Sequence, residues 1–223
     1  MLNRHAFFVF VIADNLNFSH LFLRINCLNR KETSFKTTEI METREHATKT
    51  KWIIDPAHSK VGFKVNHNEI TYIQGEFNDF DASIYTRGED FSKVEIDCSI
   101  NPSSVHTGNE EWDTYIKSEA FFDCKAFPQI HFVGNTVEPV DNDGSFSLYG
   151  ELTIKDMTHQ IKLDVEFRGL DRDPWGNVKA GFAFHGSIDR GLWGMEWDKM
   201  LESSGVKLDD KILVYSEIQL AEE

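Results

Sequence analysis

The sequence predicts an all-β fold, an antiparallel barrel of about eight strands with one short helix over about residues 108–117. Three observations carry this. Apolar and polar residues alternate with period two: Val61, Phe63 and Val65 interleave with Lys60, Lys64 and Asn66, and Ile161, Leu163, Val165 and Phe167 with Lys162, Asp164, Glu166 and Arg168. The alternating runs are separated by turn residues such as Asp55-Pro56, Asn101-Pro102 and Asp141-Asn142-Asp143-Gly144. Only one stretch opens with a helix-start signature, Thr107-x-x-Glu110. Many strands with almost no helix between them must close on themselves or pack as a sandwich. At about eight strands, a closed barrel either fills with its own side chains or holds one small ligand.

In chain order, strands are expected at 52–54 and 59–67, on either side of Asp55-Pro56. Residues 70–73 read as a short helical or irregular link. Residues 75–80 and 82–86 read as a strand pair, followed by a turn at 87–90. A strand over 93–100 ends at Asn101-Pro102, and the helix runs from Gly108 to about Lys117. Strands at 129–138, 145–155, 160–169, 178–188 and 211–220 complete the set. A ten-residue strand spans roughly 33 Å, long enough for a bore that takes a thin molecule lengthwise.

The 223 residues suit one β domain, placed at 51–221, after a disordered or non-native extension at 1–50. In that extension, the apolar run 6–13 behind Arg4 and His5 resembles the core of a secretion signal. It is followed at once by Asp14, Asn15 and Asn17, and falls far short of the roughly 20 apolar residues a membrane helix needs. Met41 opens a segment that would serve as an ordinary cytosolic N-terminus. A cytoplasmic location is the expectation, and a periplasmic or secreted one the alternative if residues 1–13 act as a degenerate signal.

The formal net charge of −14 argues against nucleic acid as a partner. Residues 1–40 carry five basic and three acidic residues, so the acidity belongs to the body, with 18 against 34. Cys27, Cys98 and Cys124 have no Cys-x-x-Cys spacing, against both a disulfide framework and a zinc site. Cys98 shares the parity of Val94, Ile96 and Ile100 and reads as a small buried hydrophobe.

No catalytic constellation stands out, and no catalytic residue, metal site or cofactor is assigned. There is no Gly-x-Ser-x-Gly elbow, no phosphate-cradling glycine loop and no His-Glu-x-x-His. No two of His58, His67, His106, His131, His159 and His185 lie two or four residues apart. Asp164 and Glu166 fall on the wet parity, and Glu110-Glu111 suit the first turn of a helix. The phenylalanines are more informative: Phe63, Phe132, Phe146, Phe167, Phe182 and Phe184 all sit on dry parities. Trp112, Trp175, Trp193 and Trp197 fall in helix or loop segments, placed to rim an opening, and Arg190 is a candidate to meet an anionic head group there, the alternative being a surface turn residue paired with a neighbouring acid. A core packed solid by these rings is the competing reading.

The order of these motifs resembles the YceI-like family of lipid-binding (polyisoprenoid-binding) proteins from about Trp52 to Leu220. The matching residues are Asp55-Pro56-Ala57-His58-Ser59 with Phe63-Lys64-Val65-Asn66-His67, then Gly75-Glu76-Phe77-x-x-Phe80 and Ser118-x-x-Phe121-Phe122-Asp123. Phe127-Pro128-x-Ile130-x-Phe132, Gly150-x-Leu152-Thr153-Ile154 with Thr158, Asp173-Pro174-Trp175-Gly176 and Ile188-Asp189-Arg190-x-x-Trp193-Gly194 follow, and the closing stretch around Lys211. Two places depart from the pattern. The family's Arg-Asp-x-His-Leu is Trp112-Asp113-Thr114-Tyr115-Ile116 here, so no head-group contact by that Arg or His carries over. Its Gly-x-Thr-x-Pro turn is Asp156-Met157-Thr158-His159-Gln160.

The resemblance implies an elongated, lipocalin-like barrel whose bore takes a long-chain isoprenoid (polyprenyl, isoprenoid quinone) or another amphiphilic lipid, without catalysis. No nucleic acid and no integral membrane span are expected, and a homodimer is compatible with these features. Parity assigns Phe63, Val65, Phe132, Phe146, Leu148, Phe182 and Phe184 to the bore, and the helix and loop positions of Trp112, Trp193 and Arg190 set these three at its rim. The alternatives are a lipid-modifying barrel enzyme, which needs an ionisable pair such as His67 with a carboxylate inside the bore, and a packed, stress-linked interaction protein with no ligand.

Overall fold

In the computed structural model, which describes residues 49–140, 144–197, 205 and 207–223, the alternating runs form eleven strands, accompanied by one α-helix. The strands are β1 (Lys49–Ile54), β2 (Lys60–His67), β3 (Thr71–Phe77), β4 (Phe80–Arg87), β5 (Asp90–Ile100) and β6 (Val105–His106). After the helix α1 (Glu110–Lys117) come β7 (Ile130–Pro139), β8 (Ser145–Ile154), β9 (Met157–Arg172), β10 (Val178–Asp189) and β11 (Leu208–Glu222). The extension expected at 1–50 lies outside the described residues up to 48, and Lys49 and Thr50 already belong to β1.

Eight strands close a ring in the order β1-β4-β5-β7-β8-β9-β10-β11, and every neighbour is antiparallel. The ring is sealed where Trp52, Ile53 and Ile54 pair with Glu222, Ala221 and Leu220. Closure removes the free edges that an open sheet leaves exposed. Long β11 serves two partners on one edge, β1 near its end and β2 along Leu208–Glu217. The switch falls at Asp55-Pro56. Pro56 has no N–H to give a ladder, and Asp55 stays on β11 through its own N–H to the Gln219 carbonyl at 2.8 Å. The Asp55 side chain accepts from Ala57 N at 3.2 Å and pairs with Lys179 at 3.2 Å. β2, β3 and β6 thus extend the wall beyond the ring, and α1 follows directly from β6.

Several expectations need correction. Residues 70–73 are not a helical link: β3 begins at Thr71, after a turn at Asn68-Glu69 in which both residues take positive φ, +55° and +59°. Glutamate is rare in that region, so the turn carried no recognisable signal. β3 and β4 are not a pair. They run in line through Asn78-Asp79, β3 against β2 and β6, β4 against β1 and β5. The helix starts at Glu110 rather than Gly108, because Asn109, not Thr107, caps it and accepts from Glu111 N and Trp112 N. The β8–β9 turn is Lys155-Asp156, so Met157 to Gln160 lie in the strand. Residues 141–143 of the expected hairpin lie outside the described residues, but β7 and β8 pair as that hairpin requires, up to Pro139 and Phe146.

The two faces follow the alternation until bulges interrupt it. Ile130, Phe132 and Gly134 of β7 point inward; the ladder then skips Asn135, and the next inward apolar residue is Val137. In β9 the pairing skips Arg168, which sets Leu170 opposite Ala180. One end of the ring is filled by rings from four strands. Phe91 lies 5.1 Å from Trp52, 5.9 Å from Phe167 and 4.9 Å from Phe182. Trp52 is fully buried, and Phe182 nearly so.

Candidate functional site

Beyond that aromatic plug the barrel is open inside. A cavity of about 210 Å³ runs toward the helix end, and the space between atoms reaches about 1450 Å³ when the open mouth is counted. Its side walls come from inward positions such as Phe63, Val65, Ile84, Phe132, Leu148 and Phe184. Glycines set where two of the rings lie. Phe63 crosses to Gly75 on β3, where an added Cβ would stand 2.6 Å from its ring, and Phe132 lies over Gly150, where one would stand 2.5 Å away. Those rings lie flat across neighbouring strands and leave the centre open.

The helix end is built from α1 and two loops. Trp112 and Ile116 of α1, Phe121 and Phe122 after it, and Met195 and Trp197 before β11 all line the cavity. Three devices hold α1. Glu110, Glu111 and Asp113 in its first turn complement the helix dipole. Asp113 accepts from Thr107 N at 2.7 Å and Thr107 Oγ1 at 2.6 Å, and faces His106 at 3.3 Å. Burial pushes its carboxyl up, but the two Thr107 hydrogen bonds and His106 outweigh that and hold it below the ordinary 3.8. At the other end, Tyr115 Oη donates to the Glu196 carbonyl at 2.9 Å and ties the helix to the Met195–Trp197 stretch. Trp197 stacks on Phe121 at 4.9 Å and on Tyr115 at 6.2 Å.

The structure sorts the expected residues into three groups. Phe63, Val65, Phe132, Leu148, Phe184 and Trp112 line the cavity. Phe146 and Phe182 point inward but lie outside the lining, Phe182 in the plug and Phe146 half-buried where β8 meets Val165. The rim residues need correction. Trp193 is buried beneath the β10–β11 loop, donating to the Leu152 carbonyl at 3.3 Å, with His159 edge-on at 5.0 Å. Arg190 is folded inward, its side chain 12% exposed; it pairs with Asp210, donates to the Met195 carbonyl and lies over the Trp197 ring at 5.0 Å. Trp175 belongs to the β9–β10 turn at the plugged end, 84% exposed on a loop that Asp173 pins through Trp175 N and Asn177 N.

Trp197, expected at the rim, also lines the cavity, and the lining residues that sequence reasoning does not reach are Phe121, Phe122 and Met195. They sit in loops without alternation, and the doubled Phe121-Phe122 was the one available signal. Cys98 is only half-buried because it faces the cavity. Burial pushes its thiol up to about 12, with Asp81 and Asp97 adding to the rise. The lining holds no carboxylate, imidazole, amine or guanidinium, and His67 is outside it. Charged groups gather instead on an open groove of about 530 Å³ on the outer wall, beside Lys162, Asp164 and His185. Among the described residues, no three His, Cys, Asp or Glu gather as a metal site would need, and no helix is long and apolar enough to cross a membrane.

Comparison with known proteins places this geometry among relatives. A family profile described as the YceI-like domain matches residues 52–220. A UPF0312 protein of Staphylococcus aureus strain USA300 is 33% identical over 176 residues, 78% of this chain and 99% of that protein. A crystal structure of the Campylobacter jejuni YCEI protein is 29% identical, with a TM-score of 0.58, covering 76% of this chain and 96% of that one. BcnA of Burkholderia cenocepacia shares the fold at 19% identity, with a TM-score of 0.64 over 74% of this chain and 98% of its own. A polyisoprenoid binding domain from Saccharophagus degradans shares it at 11% identity, with a TM-score of 0.56 over 77% of this chain and 98% of its own.

Proposed function

This chain belongs to the YceI-like family, and from that premise we propose that it binds and carries a long-chain isoprenoid or similar amphiphilic lipid in the bore, without chemical conversion. The observation that carries the reading is the lining: a mainly aromatic and aliphatic surface without a charged side chain, running from the plug to the helix end. Burial drives binding, at about 0.8 kcal/mol per CH₂, opposed by the ordering of a flexible tail. The polyisoprenoid-binding neighbour from Saccharophagus degradans supports the ligand class through a shared fold. A cavity of about 210 Å³ is smaller than the roughly 300–1,000 Å³ of drug-sized sites. A long chain therefore fills the bore and extends through the open mouth at the helix end. The lining holds no carboxylate, imidazole or amine, and burial pushes up both its Cys98 thiol and its Tyr215 phenol, which favours carriage over catalysis.

The test is a titration with isoprenoid alcohols of increasing length, read by quenching of Trp112 and Trp197. Saturable one-to-one binding that tightens with length and then levels off is expected. Quenching that never saturates, or that ignores chain length, contradicts the proposal.

A further inference from the structure

The cavity stops short of the barrel's far end. Phe184 of β10 lines it, but the next residue on the same face, Phe182, does not, although Ile218, the β11 partner of Phe182, does. Phe182 is 4% exposed, and its ring lies 6.1 Å from that of Phe184. Phe182 therefore stands at the floor of the bore. Phe91 of β5 meets it edge-on at 4.9 Å, and β5 and β10 face each other across the eight-strand ring. Plain alternation would not bring Phe91 there. Counted from Val94 and Ile96, which point inward, position 91 falls on the outward parity. A bulge reverses it: Tyr85 opposes Glu95 while Arg87 opposes Asp90, so the stretch from Phe91 to Val94 faces Thr86 alone. Asp90 fixes that bulge by accepting from Ser92 N at 2.9 Å.

We infer that the occupant enters tail first and that Phe182, held in place by Phe91, is the floor that sets how many isoprene units the bore buries. The inference rests on the proposed reading of the bore as a lipid site. Polarity gives the direction. The buried polar side chains at the floor end are already engaged: Trp52 Nε1 donates to Thr86 Oγ1, and the Thr86 hydroxyl donates to the Gly88 carbonyl. A head group pushed to this end would lose its water and find no partner, whereas at the open mouth it stays hydrated. Length follows from burial. Each unit held between floor and mouth gains apolar contact, and units beyond the mouth gain little. Affinity therefore levels off at a chain length that the floor decides, and removing the Phe182 ring moves that point to a longer chain.

The test has two arms. In the first, geraniol, farnesol, geranylgeraniol and longer prenols displace an apolar fluorescent dye from the wild-type protein, Phe182→Ala and Phe182→Leu. Phe182→Ala is expected to level off at a longer alcohol than wild type, and to bind the first alcohol beyond the wild-type levelling point about tenfold tighter than wild type does. Phe182→Leu should shift in the same direction by less. An unchanged levelling point in folded Phe182→Ala overturns the inference and leaves the bore reading intact. The second arm needs no variant. Farnesol carrying a diazirine at the end remote from its hydroxyl is photolysed in the wild-type protein and the labelled peptides are mapped. Labelling of β10 around Phe182 and Phe184 is expected. Labelling confined to α1 and the Met195–Trp197 stretch means head-first entry and overturns the inference. Failure of every alcohol to bind overturns the bore reading itself, and the inference with it.

Discussion

Trp52 Nε1 donates to Thr86 Oγ1 at 2.8 Å within the plugged end of the barrel, and both side chains are almost completely buried. The Thr86 hydroxyl in turn donates to the Gly88 carbonyl in the β4–β5 turn. One polar chain thus fastens the strand that seals the ring to the turn beside it, under a cap of aromatic rings. Thr86→Val keeps the volume and strands the indole N–H, at a cost of about 1–3 kcal/mol. Thr86→Ser keeps the hydroxyl and costs less. Denaturant unfolding of the two variants checks the order, and equal losses would show that the hydrogen bond contributes nothing.

The Phe132 ring occupies the space that a side chain at position 150 would need. A Cβ on Gly150 would stand 2.5 Å from both that ring and the Val133 carbonyl oxygen. The carbonyl belongs to the paired strand and cannot swing away. Gly150→Ala is therefore expected to destabilise by about 1–3 kcal/mol, the range for overpacking a filled site. Thermal unfolding checks it; a Tm equal to the parent's would mean that the β7–β8 ladder yields more easily than its geometry suggests.

Much of this was legible beforehand, and the failures have physical causes. Period-two alternation placed Phe63, Val65, Phe132, Leu148 and Phe184 on the inner face, and each lines the cavity. Alternation reports only which face a residue takes, not how far along the barrel it lies. Phe182 is as inward as Phe184, yet it pairs with Phe167 on the neighbouring strand and meets Phe91 from across the barrel at the same level. Parity also fails at bulges such as Asn135 and says nothing of loops. Trp193 and Trp197 stand four residues apart in one connection, one sealed beneath it and one facing the bore.

Acid should loosen the helix end. The Asp113 carboxyl titrates below 3.8 in the folded protein, because the Thr107 hydrogen bonds and His106 overcome the opposing effect of burial. A depressed folded value means that the stabilisation is complete above the unfolded value and is lost as pH falls through the folded one. Tm is thus expected to be insensitive to Asp113 near neutrality and to fall on acidification below about pH 4. Asp113→Asn should start lower and lose less over that range. Parallel slopes for the two proteins between pH 5 and pH 3 (the window set by the ordinary carboxylate value) would contradict this assignment.

The thiol in the bore should be inert. Burial raises Cys98 to about 12, so almost no thiolate, the reactive form, exists at mildly alkaline pH. Iodoacetamide is expected to leave Cys98 unmodified in the folded protein and to alkylate it fully after unfolding in guanidinium. Peptide mass mapping distinguishes the two states. Prompt labelling of native Cys98 would show that solvent and ions reach the bore freely.

The central claim is that the bore carries a lipid, and native mass spectrometry of the full chain purified from its own host tests it most directly. The account predicts a species heavier than the polypeptide by one discrete mass, which organic extraction removes and identifies as an isoprenoid or similar lipid. A spectrum of the bare chain alone, unchanged after incubation with isoprenoids, would contradict it.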